Sequence, residues 1–370
     1  MSSFAPYPAD GALSRRGKLG WALILVSFVL ILILSAVPSP YVIEQPGPVY
    51  DTLGSNEAVG GGEPRPLIDI PDARTYDSTG ELNLLTVSVV GNPENLPHWL
   101  DVATAWFTPS KAVVPVESVY PPNVSTEDRN QENRILMVNS QRDAVAAALT
   151  ELGYEVPRTL SVESVIDGSP ATGVLEEGDS ITTVGGDPVV DLAHLRERIA
   201  ANGASAPLEF GLLRQGTAMT LSVTPEERNG TPAIGVLIAT EYTFPFDVEI
   251  ELDDVGGPSA GMMFALGIME KLTPEQLTGG EVIAGTGTID AQGTVGPIGG
   301  IRQKLFGAER AGADFFLAPS ANCDEVVGNV PDGLEVFAVA TLDDALAALG
   351  AIAADSGYSG LPRCTAPSQN

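Results

Sequence analysis

Between Leu19 and Val37 the chain runs almost without a polar interruption, and this run divides everything else. Its nineteen residues rise about 28 Å as a helix, enough to cross the hydrocarbon of a bilayer. Arg15, Arg16 and Lys18 lie just ahead of it, which favours a cytoplasmic N-terminus and an exported remainder. A cleaved signal peptide is the alternative. It calls for a shorter apolar core and a small-x-small cleavage site, and Ser35-Ala36-Val37-Pro38 is a poor one. The expectation is a cytoplasmic tail over 1–18, an uncleaved transmembrane helix over 19–37, and extracytoplasmic domains in the rest.

A length of 370 residues suggests two to three domains. The net charge of −29 argues against nucleic acid as a partner, because no basic cluster exists to neutralise phosphates. The two cysteines, Cys323 and Cys364, form no metal-ligand spacing, and neither metal nor cofactor is expected. In an oxidising compartment they could pair; the sequence leaves that open.

The chemistry concentrates at Gly256-Gly257-Pro258-Ser259-Ala260-Gly261. Flanking glycines let a serine sit on a tight turn into a helix with its hydroxyl exposed, as in the G-x-S-x-G elbow. The hydrolase order of triad residues is impossible here, since His98 and His194 both precede Ser259. A histidine base in another order stays open, but neither histidine has a motif around it, and lysine is the obvious substitute. Of Lys18, Lys111, Lys271 and Lys304, the first should lie across the membrane. Lys271 sits ~18 Å up the helix that Ser259 opens, and Lys111 has no apolar context. Lys304 follows Gly299-Gly300 on a helix whose face it shares with Ile301, Leu305 and Ala308, while Arg302, Gln303, Glu309 and Arg310 point elsewhere. Desolvation on such a face lowers a lysine's pKa, which a general base needs. Each stretch alone also has a plainer reading: a turn before a buried helix, and a lysine reaching back to water.

Together, Pro258-Ser259-Ala260-Gly261 and Pro297-Ile298-Gly299-Gly300-Ile301-Arg302-Gln303-Lys304 resemble the two motifs of the Lon proteolytic domain, at a separation that suits that family. The resemblance implies Ser259 as nucleophile and Lys304 as base. Gly285-Thr286-Gly287-Thr288 resembles the family's Thr-Gly strand, which makes Thr286 the residue supporting the lysine. Many Lon proteases carry an acid three residues before the serine, where this chain has Gly256. The oxyanion hole must come mainly from backbone N–H groups. Pro258 has none, leaving Gly257, Ser259 and the opening of the helix Ser259–Leu272. Thr273-Pro274-Glu275-Gln276 reads as the cap of a further helix.

Upstream, Tyr41–Val49 reads as a strand ending at a Pro-Gly turn, and Glu81–Val90 as a strand with one well-buried face. Met137–Leu149 reads as an extended piece followed by an alanine-rich helix capped near Ser140. It resembles the Lon-family segment ahead of the active-site half, so Ser140 is taken as a cap and not as a second nucleophile. Residues 157–227 change character. Ser169-Pro170-Ala171, Gly178-Asp179 before an apolar strand, Gly185-Gly186 and the helix Leu192–Ala200 resemble a PDZ domain. Strands at Leu208–Leu213 and Met219–Val223 close it, and Pro157–Val162 stands where a carboxylate-binding loop is expected. His194 lies on the PDZ helix, with a solvated face as its reading. Glu226–Pro232 is a polar loop, and the peptidase pattern resumes at Ala233. Phe246–Leu252, Val282–Gly285, Phe315–Ala318 and Val336–Ala340 read as strands, Asp343–Leu349 as the last helix, and Ala354–Asn370 as a loose tail.

The fold class expected is α+β: a Lon-type proteolytic domain in two parts, 41–155 and 232–350, with a PDZ-like insert over 157–227, one N-terminal transmembrane helix and a tail over 351–370. The function expected is a membrane-anchored, ATP-independent Ser–Lys endopeptidase acting on exported proteins. No Gly-x4-Gly-Lys-Ser/Thr loop is present, and the PDZ unit would dock substrates or partners. The Lon resemblance implies a homo-oligomer such as a hexamer. The rival readings are an inactive PDZ scaffold on a peptidase fold, and a protease that cleaves only itself or one partner.

Overall fold

The computed structural model describes residues 15–56, 64–122, 126–228, 230–252, 255–356 and 358–365; most of the expected cytoplasmic tail lies outside them. The apolar run forms α1 (Arg15–Ala36), whose residues Lys18–Ala36 are long and apolar enough to cross a membrane, with none of that window buried. Beyond it, the chain supplies β1 (Tyr41–Asp51), β2 (Glu81–Val90), α2 (Trp99–Trp106), β3 (Ala112–Pro115) and the long helix α3 (Thr126–Glu151). A second group follows: β4 (Arg158–Val165), β5 (Ser180–Val184), α4 (Leu192–Asn202), β6 (Leu208–Arg214), β7 (Thr217–Val223) and β8 (Val236–Tyr242). The last is α5 (Gly261–Leu272), β9 (Val282–Gly285), α6 (Ile301–Arg310), β10 (Phe315–Pro319), β11 (Glu335–Val339) and α7 (Leu342–Ala353).

The first and last groups build one mixed sheet in the order β11-β10-β9-β2-β1-β3. β9, β10 and β11 run parallel with β2, whereas β1 is antiparallel to both β2 and β3. Successive side chains of a strand face opposite ways, and the two cores follow this alternation. Leu82, Leu84, Ile283, Phe315, Leu317, Phe337 and Val339 pack under α5, the C-terminal half of α3, and α7. Leu85, Ala284, Phe316, Ala318 and Val336 face the other way, onto Ile301, Leu305 and Ala308 of α6. The sheet is therefore covered on both faces, and α5 and α6 lie on opposite ones.

The middle group forms a separate antiparallel sheet, β7-β6-β5-β4-β8, with its own core of Leu160, Val162, Ile181, Leu195, Phe210 and Leu212. Here the sequence expectation needs correction. Val236–Tyr242 pairs along β4, from Val236 opposite Val165 to Tyr242 opposite Arg158, so this sheet does not close at Val223 and the peptidase pattern does not resume at Ala233. Glu226–Pro232, expected as a loop, belongs to a short hairpin of Glu226–Arg228 with Thr231–Ala233.

Further corrections have local causes. Pro46-Gly47-Pro48 does not end β1; it forms a bulge that carries the strand on to Asp51, as suits residues without a ladder donor. Met137–Leu149 has no extended piece, because the helix begins at Thr126, and Ser140 lies in its interior. Thr273–Gln276 opens no helix; Thr273 ends α5, its hydroxyl donating to Met269 O. Of Phe246–Leu252 only Glu249–Ile250 pairs, with Ile68–Asp69. Gln303, expected to point outward, is buried. The tail is not loose as far as Thr365: Cys364 forms a disulfide with Cys323, Ala338 N donates to Pro362 O, and Tyr358 packs on Phe315 and Phe337.

Candidate active site

Ser259 sits in the turn that enters α5. Gly257 supplies the positive φ (+89°) that this turn requires, and Pro258 and Ala260 bring the chain to the helix start at Gly261. Distant segments fix the turn. Thr286 Oγ1 and Gly287 N both donate to Ser259 O, each at 2.9 Å, while Met262 N donates to Gly287 O. Ser140 Oγ donates to Pro258 O at 2.9 Å, and Gly257 N to Asn133 O at 2.9 Å. Two contacts thus come from α3. Gly256 also packs on that helix so closely that a Cβ would lie 2.7 Å from Asn133 Cβ. An acidic side chain in its place would force α3 away.

Lys304 comes from the other face of the sheet. Gly300, at φ +68° and ψ 33°, caps α6, and a Cβ there would lie 2.7 Å from Val87 Cγ2. Both the conformation and the space demand glycine. The loop ahead is held by Asn322, whose side-chain amide accepts from Ile298 N (2.9 Å) and donates to Ile298 O (2.8 Å). One turn into α6, Lys304 reaches past the carboxyl end of β9, where Thr286 follows the last strand residue. Its Nζ lies 2.8 Å from Ser259 Oγ and 2.8 Å from Thr286 Oγ1. Lys304 is 2% exposed and Thr286 1%. Burial pushes the ammonium pKa down to about 7.

The threonine does two jobs with one hydroxyl. Its proton goes to Ser259 O, so its oxygen can only accept from Lys304. That anchors the amine within hydrogen-bond reach of Ser259 Oγ, where its neutral form can take the hydroxyl proton. The arrangement suits removal of the serine proton at a pH where the amine is largely unprotonated.

The hydroxyl opens onto a cleft of about 420 Å³ lined by Tyr50, Leu84–Ser88, Met137, Val255, Gly256 and Gly299. β9 pairs with β2 only from Glu81 to Leu84, so the edge of Thr86–Ser88 is free of a strand partner where it borders the cleft. The N–H groups of Ser259 and Ala260 have no acceptor among the described residues. The Gly257 N–H, expected to help hold an oxyanion, is engaged with Asn133 O instead.

The structure therefore brings Ser259, Lys304 and Thr286 together and turns the Gly257 donor away. Lys271 is remote, on the last turn of α5 among Asp51, Asp69 and Asp77. His98 heads α2 and His194 lies on α4. Sequence reasoning missed Ser140, Asn133 and Asn322. Their contacts run 118, 124 and 24 residues along the chain to Pro258, Gly257 and Ile298 respectively, and no local motif announces them. Among the described residues no cluster of side chains could hold a metal ion.

Comparison with known proteins finds likenesses in two segments of the chain. Residues 254–351 match the family model of the Lon protease (S16) C-terminal proteolytic domain, and residues 136–213 match the PDZ domain. The Lon protease 1 of Sorangium cellulosum is 43% identical over 94 residues, 25% of this chain and 11% of that protein. The Lon protease 1 of Bacillus subtilis is 28% identical over 179 residues, 46% of this chain and 22% of that protein. The chain thus spans less than a quarter of the length of these relatives. The PDZ domain of an SdrC-like protein from Listeria innocua, at 24% identity and a TM-score of 0.21, covers 22% of this chain and 92% of that one. The chain carries a proteolytic domain of the Lon type, the type found in a family of serine peptidases, together with a PDZ domain.

Proposed function

We propose that this chain is a membrane-anchored serine endopeptidase that works without ATP on extracytoplasmic proteins, with Ser259 as nucleophile and Lys304 as general base. The observation that carries the reading is a buried lysine amine 2.8 Å from the serine hydroxyl. Neutral Lys304 takes the Ser259 proton as Oγ attacks the peptide carbonyl. The oxyanion is met by the N–H groups of Ser259 and Ala260 at the opening of α5, where the helix dipole also favours negative charge. Lys304 then gives its proton to the departing amine, which leaves an acyl-enzyme and a neutral lysine. A water molecule, deprotonated by the same amine, attacks the ester and restores the serine. The free edge at Thr86–Ser88 lets an extended substrate add as a strand beside the nucleophile, which favours unfolded or loosely folded chains.

The remaining parts fit this reading. Arg15, Arg16 and Lys18 at the start of α1 favour a cytoplasmic N-terminus, and a Cys323–Cys364 disulfide suits an oxidising compartment. In the PDZ unit, β8 is an edge strand facing α4 across a cleft of about 460 Å³ lined by Leu192, Leu195, Ile199 and Ile234–Ile238. A docked peptide would add there. Pro157–Val162 cannot serve, because β4 already pairs on both sides with β5 and β8. Assembly into a homo-oligomer remains part of the proposal.

A serine-reactive fluorophosphonate tests the central claim. Labelling of the full chain should vanish in Ser259→Ala and fall steeply in Lys304→Ala. Labelling indifferent to both would reject the enzyme in favour of a PDZ scaffold on an inert peptidase fold.

A further inference from the structure

The helix α2 belongs to neither the catalytic cleft nor the PDZ groove, and one of its faces has no protein to cover it. Val102 and Ala105 are buried against the body. At about 100° per residue, Trp106, Ala103 and Phe107 fall together on a second side. Trp106 is 59% exposed and Phe107, immediately after the helix, 88%. Asp101 lies about 140° around the helix from Trp106, and Thr104 is on that same polar side. The helix thus has a packed side, an aromatic side facing away from the protein, and a polar side.

Its position gives that aromatic side a partner. Residues Lys18–Ala36 rise about 28 Å as a helix, close to the thickness of a bilayer core, so Ala36 marks the boundary of the hydrocarbon. The start of α2 is tied to this point: Trp99 N donates to Val37 O at 3.2 Å, and Ser39 N donates to Pro97 O at 2.8 Å. From there Phe107 is only about 12 Å along the helix axis. Amphipathic aromatic rings are enriched at the headgroup level of membranes, where an apolar body and a polar tip are both satisfied.

We propose that α2 lies in the membrane interface, with Trp106 and Phe107 seated among the headgroups and upper acyl chains on the side where α1 emerges. The peptidase body is then held to the bilayer at two points, not swung from a single tether. This rests on the reading that α1 spans the membrane. The partner is a lipid surface, and the acidic chain gives it no electrostatic help (net charge −29), so binding is apolar and independent of anionic lipid.

The chain has three tryptophans, Trp21, Trp99 and Trp106, which makes both readings separable. Full-length protein is reconstituted in phosphatidylcholine vesicles with or without bromine on the acyl chains. In Trp21→Phe with Trp99→Phe, only Trp106 emits; in Trp99→Phe with Trp106→Phe, only Trp21 does. The proposal expects both single emitters to lose fluorescence to the brominated lipid, and Trp106 emission to be blue-shifted relative to detergent-free water. Quenching of Trp21 without quenching of Trp106 leaves the anchor standing and overturns the proposal. It does so equally if Trp106 is shielded by a second copy of the chain, seen as a shift that follows protein density in the vesicle. Loss of quenching at both overturns the anchor and the proposal together. Should Trp99→Phe disturb the fold, Phe107→Cys in the otherwise native chain carries a nitroxide. That nitroxide should be accessible to oxygen from the bilayer and shielded from a polar nickel chelate, and the opposite pattern overturns the proposal.

Discussion

Replacing Lys304 with methionine should abolish the activity and make the protein more stable, with a pH dependence that the burial of the amine dictates. The folded pKa is about 7, against 10.5 for an ordinary lysine. Above 10.5 the amine is neutral in both folded and unfolded chains, and its burial carries no ionisation penalty. Between 10.5 and about 7 the unfolded chain binds a proton that the folded chain does not, so stability falls as pH falls, by about 1.4 kcal/mol per pH unit. Below about 7 both forms are protonated and the full penalty, on the order of 5 kcal/mol, is present. Methionine fills much of the same volume and brings no charge. Thr286 Oγ1 still donates to Ser259 O, and the Ser259 hydroxyl, which loses its lysine partner, still opens onto the cleft. Urea titrations of both proteins in one detergent, followed by circular dichroism across and below this window, should give stability curves that diverge by that slope. Below it, the variant should be several kcal/mol more stable. The wild-type kcat/KM should rise with pH and level off above about 7, as the neutral amine becomes the dominant form. Stability curves that run parallel from about 7 to 10.5 would refute the reasoning, since the lysine would then be ionised in the same way in both states.

Thr286→Val removes the acceptor that holds the lysine amine beside Ser259. The expected result is a kcat lower by about tenfold to a hundredfold at nearly constant KM, read from peptide hydrolysis and matched by slower fluorophosphonate labelling. Ser140→Ala leaves Pro258 O without its side-chain donor and should destabilise the fold by about 1–2 kcal/mol. It should also slow acylation, with Ser140→Thr restoring much of both. Converting Cys323 and Cys364 to serine opens a loop of 41 residues. That should lower unfolding stability by about 4 kcal/mol on chain-entropy grounds, and reductant should reproduce the loss in the wild type without adding to it in the variant.

What the sequence revealed and what it hid divide along a physical line. Short-range information was legible. Apolar pattern placed β2, β9 and the apolar window of α1 to within a residue and the start of α6, although α1 itself begins four residues earlier, and two glycine-bounded motifs pointed to Ser259 and Lys304 because each needs its own backbone geometry. The spacing of Lys304 with Ile301, Leu305 and Ala308 even implied the burial that depresses its pKa. Pairings set by tertiary contact were not legible. Nothing in Val236–Tyr242 says that its partner is β4, because an edge strand beside a half-polar sheet resembles any other strand. Pro46-Gly47-Pro48 has the composition of a turn, and only the presence of β2 on one side and β3 on the other makes a bulge preferable to a break. Ser140 satisfied the local rule for a cap. The rule lost because the residues before it, Arg134–Asn139, could continue the helix against the catalytic turn.

That last contact explains why the nucleophile can be held on a turn that contains a proline and three glycines among its six residues, Gly256–Gly261. Such a segment has high conformational entropy when free, and its own hydrogen bonding is slight, a single 3.4 Å bond from Gly261 N to Pro258 O. Its restraint comes from outside: Thr286 and Gly287 on one side of the serine, Ser140 and Asn133 on the other. Three residues beyond Ser140, on the same side of α3, Asp143 accepts a 2.7 Å hydrogen bond from Tyr242 Oη, at the end of β8. The chain leaves α3 to build the PDZ sheet and returns through β8, so this bond closes the two crossings onto each other where the insert meets the peptidase. The helix that steadies the serine is thereby the same helix that anchors the insert. A disturbance of β8 and a disturbance of the nucleophile turn must both pass through the register of Asn133, Ser140 and Asp143 on one rigid element.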